Sequence, residues 1–311
     1  MVAVSSFLFS APTVKNAEPK ASQAPEKNTA ALNTSESEDS AAPAAENAGK
    51  DTVKISKAAQ ALLDPEVQYY SQFMVAREGF DISALSIAIV NPGAEGISKG
   101  KTLSETAQAA RASLNERYGA MAAQGQPFDY NSWEGADWNT LMGGLDRRAL
   151  LAVKTNEGGM FSLQEQEIAE SIMYTQRSLA TGQYSGPERL RGNFRANPDP
   201  YDVVSLGRKG INWLEKVSDD EKRTLTWAVD RATAQSFANS GSKDSRRRED
   251  ISQDPLVNLI AKAMETMSQS LERATWSGRA DTVKDLKQAP WFKGFESQLD
   301  QIIASGRYRL T

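Results

Sequence analysis

Neither cysteine nor histidine occurs among the 311 residues of this chain, and that double absence closes most routes to a stable fold other than a packed hydrophobic core. No disulfide can brace the structure, and no thiolate or imidazole cluster can organise it around zinc. Residues 51–311 are ample to bury such a core, as one large domain or two smaller ones.

The same absence narrows the chemistry. Histidine is the usual acid–base group near neutral pH and cysteine the usual thiol nucleophile. Only carboxylates, hydroxyls, lysines, arginines and tyrosines remain, and no cofactor is expected. Lysine and arginine number 36 against 40 aspartates and glutamates. This near-balance offers no footprint for a polyanion, so nucleic acid is not an expected partner. The one basic cluster, Arg246-Arg247-Arg248, is followed at once by Glu249 and Asp250 and reads as a solvated turn between helices.

The longest apolar run, residues 84–90, is interrupted by Ser86 and falls far short of the ~20 residues that a membrane span needs. No integral membrane segment is therefore expected. Residues 1–10 are apolar (Val2, Val4, Phe7, Leu8, Phe9) without the basic stretch that precedes a secretory h-region. Residues 11–50 are Ala, Pro, Ser, Asn, Glu and Lys with almost no large apolar side chain. Such a segment cannot offset its ordering entropy, so residues 1–50 read as a disordered leader. The expected location is the cytoplasm. The alternative is secretion by a signal-peptide-independent route, with the apolar tip as an address of the kind that type III export uses.

Beyond residue 50 the chain is densely punctuated for helices. Thr102 with Glu105, Ser162 with Glu165 and Ser218 with Glu221 have capping-box spacing, in which a hydroxyl and a carboxylate satisfy reciprocal backbone donors. Asp254 before Pro255 adds an N-cap, and Leu256, Leu259, Ile260, Ala263, Met264 and Met267 then trace one buried helical face. Trp291, Phe292, Phe295, Leu299, Ile302 and Ile303 repeat the pattern behind Pro290, as do Ile168, Ile172 and Leu179 behind Ser162. Further helices are predicted over 65–76, 103–123, 145–153, 201–217 and 221–238. The expectation is an all-α domain of about eight to ten helices spanning 51–311. Residues 82–90 are the one stretch that fits a strand as well as a helix.

Several segments resemble known motifs. Gly93, Gly96 and Gly100-Lys101-Thr102 follow that apolar run and resemble a nucleotide-binding P-loop. Glu95 stands where the spacing demands the first glycine, so a glycine-rich loop between helices is the expected reading. Residues 154–165 resemble an EF-hand loop, with Gly159 at the sixth position and Glu165 at the twelfth. Lys154 occupies the first, acidic position, leaving Asn156 and Glu165 as nearly the only side-chain ligands. No metal site is expected there; a Gly-Gly helix end followed by a capping box accounts for the residues.

The densest chemistry lies in residues 128–138, where Phe128, Tyr130, Trp133 and Trp138 are interleaved with Asp129, Glu134 and Asp137. Aromatics for stacking beside paired carboxylates suit a sugar cleft; the same residues suit a loop that plugs a helical core or meets a partner. Arg77-Glu78-Gly79-Phe80 resembles the Glu-Gly segment that carries the catalytic acid of phage-type lysozymes, which would give Glu78 that role. Residues 51–63 resemble a short segment of flagellar anti-sigma factors and other flagellum-associated bacterial proteins.

These readings converge on a non-enzymatic bacterial helical protein that acts through a protein partner, with Phe128, Tyr130, Trp133 and Trp138 as its contact residues. One alternative is a carboxylate-based glycan (peptidoglycan) hydrolase using Glu78, Glu134 and Asp137. The other is a type III-like secreted or flagellum-associated protein.

Overall fold

A computed structural model describes residues 64–196, 202–240, 251–267, 280 and 282–309. The leader 1–50, the segment 51–63 and the Arg246-Arg247-Arg248 cluster lie outside the described residues. The described chain is all-α, with twelve α-helices and four 3-10 turns, and its sole β feature is an isolated bridge between Thr224 and Arg309. None of its helices is long and apolar enough to cross a membrane.

Two hydrophobic clusters organise it. The first is built by α1 (Pro65–Ser71), α2 (Ser83–Val90), α3 (Leu103–Ala123), α4 (Ala136–Met142), α5 (Arg147–Lys154) and α6 (Leu163–Ala180). The chain after α6 turns back on this lobe, where Tyr184, Leu190 and Phe194 pack against its core. The second cluster is built by α7 (Val203–Leu214), α9 (Leu225–Asn239), α10 (Pro255–Met267), α11 (Val283–Gln288) and α12 (Glu296–Ala304), with the short α8 (Asp219–Lys222) joining α7 to α9. Helices α8 and α11 are only four and six residues long, which is why the helix count exceeds the eight to ten expected.

Local signals explain most helix starts. Thr102 and Ser162 form full capping boxes with Glu105 and Glu165. At Ser218 only half the box forms: its hydroxyl accepts from Glu221 N, while the Glu221 carboxylate is drawn away to Arg147. The helix expected over 221–238 consequently splits, and Thr224 caps α9 afresh. A third full box, Thr282 with Asp285, opens α11. Asp254 accepts from Leu256 N and Val257 N, as expected for an N-cap. The single face expected after Pro290 divides into the 3-10 turn Pro290–Phe292 and α12, separated at Gly294 with φ +94°.

Residues 83–90 resolve as helix. Leu85, Ser86, Ala88 and Ile89 are all buried, so α2 is enclosed on several sides and shows no amphipathic period. The glycine-rich loop behind it already holds an anion from within the chain. Gly96 N and Ser98 N both donate to Asp146 Oδ2, at 2.8 and 2.9 Å, while Asp146 Oδ1 caps α5 at Ala149 N. The amides that a phosphate would seek are thus spent on a carboxylate.

Candidate functional site

Residues 128–138 run from α3 into α4 and lie against the first lobe. Their anchor is Asp137, in the first turn of α4 and only 3% exposed. Arg77 grips this carboxylate with two nitrogens, Nε donating to Oδ1 at 2.6 Å and Nη2 to Oδ2. The rest of the guanidinium donates to the carbonyls of Gln126 and Pro127. Asp129 N also donates to Asp137 Oδ2, and Asp137 N donates to Ser132 Oγ. One buried ion pair thereby fixes both ends of the loop, a charge-assisted, bidentate arrangement of the strong kind.

The aromatics divide between two environments. Phe128 meets Tyr118 edge-on with ring centroids 5.4 Å apart. Tyr130 and Trp138 lie 5.2 Å apart, and Trp138 Nε1 donates to the Tyr130 carbonyl at 2.7 Å. Tyr130 Oη donates to Glu167 on α6; burial first and this carboxylate second raise its phenol pKa. All three half-buried rings pack on the first core. Trp133 does not: it is 80% exposed.

The backbone explains that difference. Glu134 and Gly135 both adopt left-handed conformations, with φ +54° and +70°. Glycine takes such a φ freely, whereas glutamate is strained there. The strain is held by Arg189, whose Nε donates to Glu134 Oε2 at 2.9 Å and to Oε1 at 3.2 Å. This reversal turns the chain between Trp133 and Trp138 and leaves the first indole projecting while the second is tucked inward.

Of the carboxylates, Glu78 is exposed, Asp129 caps Asn131 N, Glu134 is paired with Arg189 and Asp137 with Arg77. The structure does bring the 77–80 segment to the loop, but through Arg77 rather than Glu78. Sequence reasoning passed over Arg77, Ser132 and Arg189. Arg77 stood beside Glu78 in the sequence, but nothing marked its partner at residue 137.

The EF-hand-like residues serve separate structural ends. Asn156 is left-handed at φ +49°, and its Oδ1 accepts from Phe161 N. Glu165, 4% exposed, accepts from Arg111 Nη1 at 2.9 and 3.0 Å, from Tyr118 Oη and from Ser162 N. Burial and the adjacent Glu165 charge push the Tyr118 phenol far above its ordinary value. No protein-family model, curated protein or solved structure matches the chain.

Proposed function

We propose that this protein is a non-enzymatic binding protein that engages a protein partner through the 128–138 loop, with Trp133 as the anchor. The observation that carries the reading is the projecting indole on a loop fixed from beneath by Arg77, Asp137 and Arg189. Exposing a tryptophan to water is unfavourable, and so is holding Glu134 left-handed; a partner pocket that buries the indole gives both a purpose. Because the loop is already ordered, docking costs little conformational entropy, and tryptophan is the residue most enriched at the energetic centres of interfaces. Phe128, Tyr130 and Trp138 support the anchor from the core side. The proposed place of action is the cytoplasm; an exported destination would leave the contact chemistry unchanged.

The test is a photo-crosslinking amino acid placed at position 133 in the native host, with the exposed Glu188 as the comparison position. A discrete protein adduct from 133 that is absent from 188 is expected, and the untagged Trp133→Ala variant should escape co-purification with the same protein. Absence of any discrete adduct at 133 would reject the reading. The glycan-hydrolase alternative has its own outcome. Release of reducing ends from peptidoglycan, abolished by Glu78→Gln, Glu134→Gln or Asp137→Asn with the fold intact, would replace binding by hydrolysis.

A further inference from the structure

The two hydrophobic clusters meet across a seam that is mainly charged. From the first lobe, Arg147, Arg148 and Arg177 cross to Glu221, Asp220 and Asp230 of the second. Arg147 is at the centre. Its Nε and Nη2 donate to Glu221 at 2.9 and 2.7 Å, and Nη1 donates to Gln176 Oε1 and the Met173 carbonyl. Its guanidinium carbon lies 4.4 Å from the centroid of the Trp213 ring, and Trp213 Nε1 donates to the Ile89 carbonyl across the seam at 2.8 Å. At the exposed rim one pair runs the other way, Arg309 to Glu157. Apolar continuity is slight by comparison: among the described residues, Ala180 is the one that packs against both clusters.

We propose that this seam is an electrostatic latch, from which the two lobes part as intact bodies when the Arg147–Glu221 pair is broken. Each lobe keeps its own core, so opening exposes chiefly charged and hydrogen-bonding groups that water solvates well, together with one face of Trp213, rather than a continuous apolar interior. Arginines on one face and acids on the other also make closure specific in register. A wedge point is built into the edge. A cleft of 380 Å³ lies between Pro92, Gly93, Ala94 and Glu95 of the first lobe and the 216–220 turn of the second. There the backbones nearly touch: a Cβ on Gly93 would sit 2.3 Å from the Lys216 carbonyl oxygen.

The experiment uses the full chain, which has no native cysteine. Spin labels on Lys99→Cys and Lys262→Cys, both exposed and on opposite lobes, report the distance across the seam. The parent should give one narrow distance distribution. Glu221→Gln, which leaves Arg147 without its charge partner, and Gly93→Ala, which pries the loops apart and alters no charge, should each move it to longer distances while far-UV circular dichroism stays at the parent value. Unchanged distances in both variants would overturn the latch. So would a lengthening that appears only with loss of helical signal, or one seen in Gly93→Ala and not in a folded Glu221→Gln. If Glu221→Gln does not fold, Glu221→Asp, which keeps the charge but draws the carboxylate back from Arg147, takes its place with the same expected lengthening.

Discussion

Trp133 and Trp138 belong to one loop and experience opposite environments, and their replacement separates packing from recognition. Trp138→Ala removes a half-buried ring that packs at a tilt against Tyr130 and donates to its carbonyl, and should lower stability by about 2–3 kcal/mol. Trp133→Ala removes a ring that is 80% exposed, and should change stability by no more than about 0.5 kcal/mol. Urea denaturation of the two variants measures both. A large loss on Trp133→Ala would mean that the indole packs on the protein, and the anchor role would fall with it. Gly135→Ala tests the turn between them: its φ of +70° places a Cβ in the left-handed region at a cost of about 1 kcal/mol. That variant should weaken partner capture more than its stability loss accounts for, because it shifts the presentation of Trp133.

Among the elements, the α7–α9 crossing shows packing overriding propensity. Alanine is a better helix former than glycine by about 1 kcal/mol, so Gly207→Ala in α7 favours the isolated helix. In the fold its Cβ would lie 2.4 Å from Ala238 N and 2.6 Å from the Ala234 carbonyl oxygen. The expected result is a net loss of about 2–3 kcal/mol, read by thermal melting. At the start of α10, Tyr308 Oη donates to Asp254 Oδ1 at 2.8 Å; burial first, then this bond, raises the phenol pKa to about 12. A folded pKa above the unfolded value of about 10 means a contribution fully present below pH 10 and lost as pH rises through 12. The stability difference between the parent and Tyr308→Phe should therefore shrink across that window and be constant below it. These cases also mark what was legible in the sequence. Thr102, Ser162 and Asp254 were readable as caps because their partners lie within a turn, whereas Thr282 was not, since Asp285 replaces the usual glutamate. The helical state of 83–90 was hidden because α2 is buried on several sides. The aromatic density of 128–138 was visible, but which ring projects depends on Arg77 and Arg189, whose partners are 60 and 55 residues away.

At the level of the whole molecule, the buried Arg147–Glu221 pair poses a question of net worth. Both side chains are nearly enclosed, at 5% and 8% exposure, and taking two such charges out of water costs several kcal/mol per ion. The fold recovers this through five guanidinium hydrogen bonds to Glu221, Gln176 and Met173 and through the Trp213 face. Removing one partner strands the other. Arg147→Met or Glu221→Met alone should thus cost about 3–5 kcal/mol, because an uncompensated charge is left at the seam. Replacing both removes the desolvation penalty together with the attraction, and methionine adapts its shape to the vacated volume. The double variant should accordingly lie within about 1 kcal/mol of the parent, with a coupling energy of several kcal/mol in the double-mutant cycle. Denaturant unfolding of the four proteins supplies the cycle. A double variant several kcal/mol less stable than the parent would show that the pair is a net contributor to stability relative to an apolar seam. Near-additive, small losses would show that water reaches the seam. The predicted pattern makes register between the lobes, rather than strength, the contribution of the charges, since an apolar seam of equal stability would lack the fixed pairing of arginine with acid.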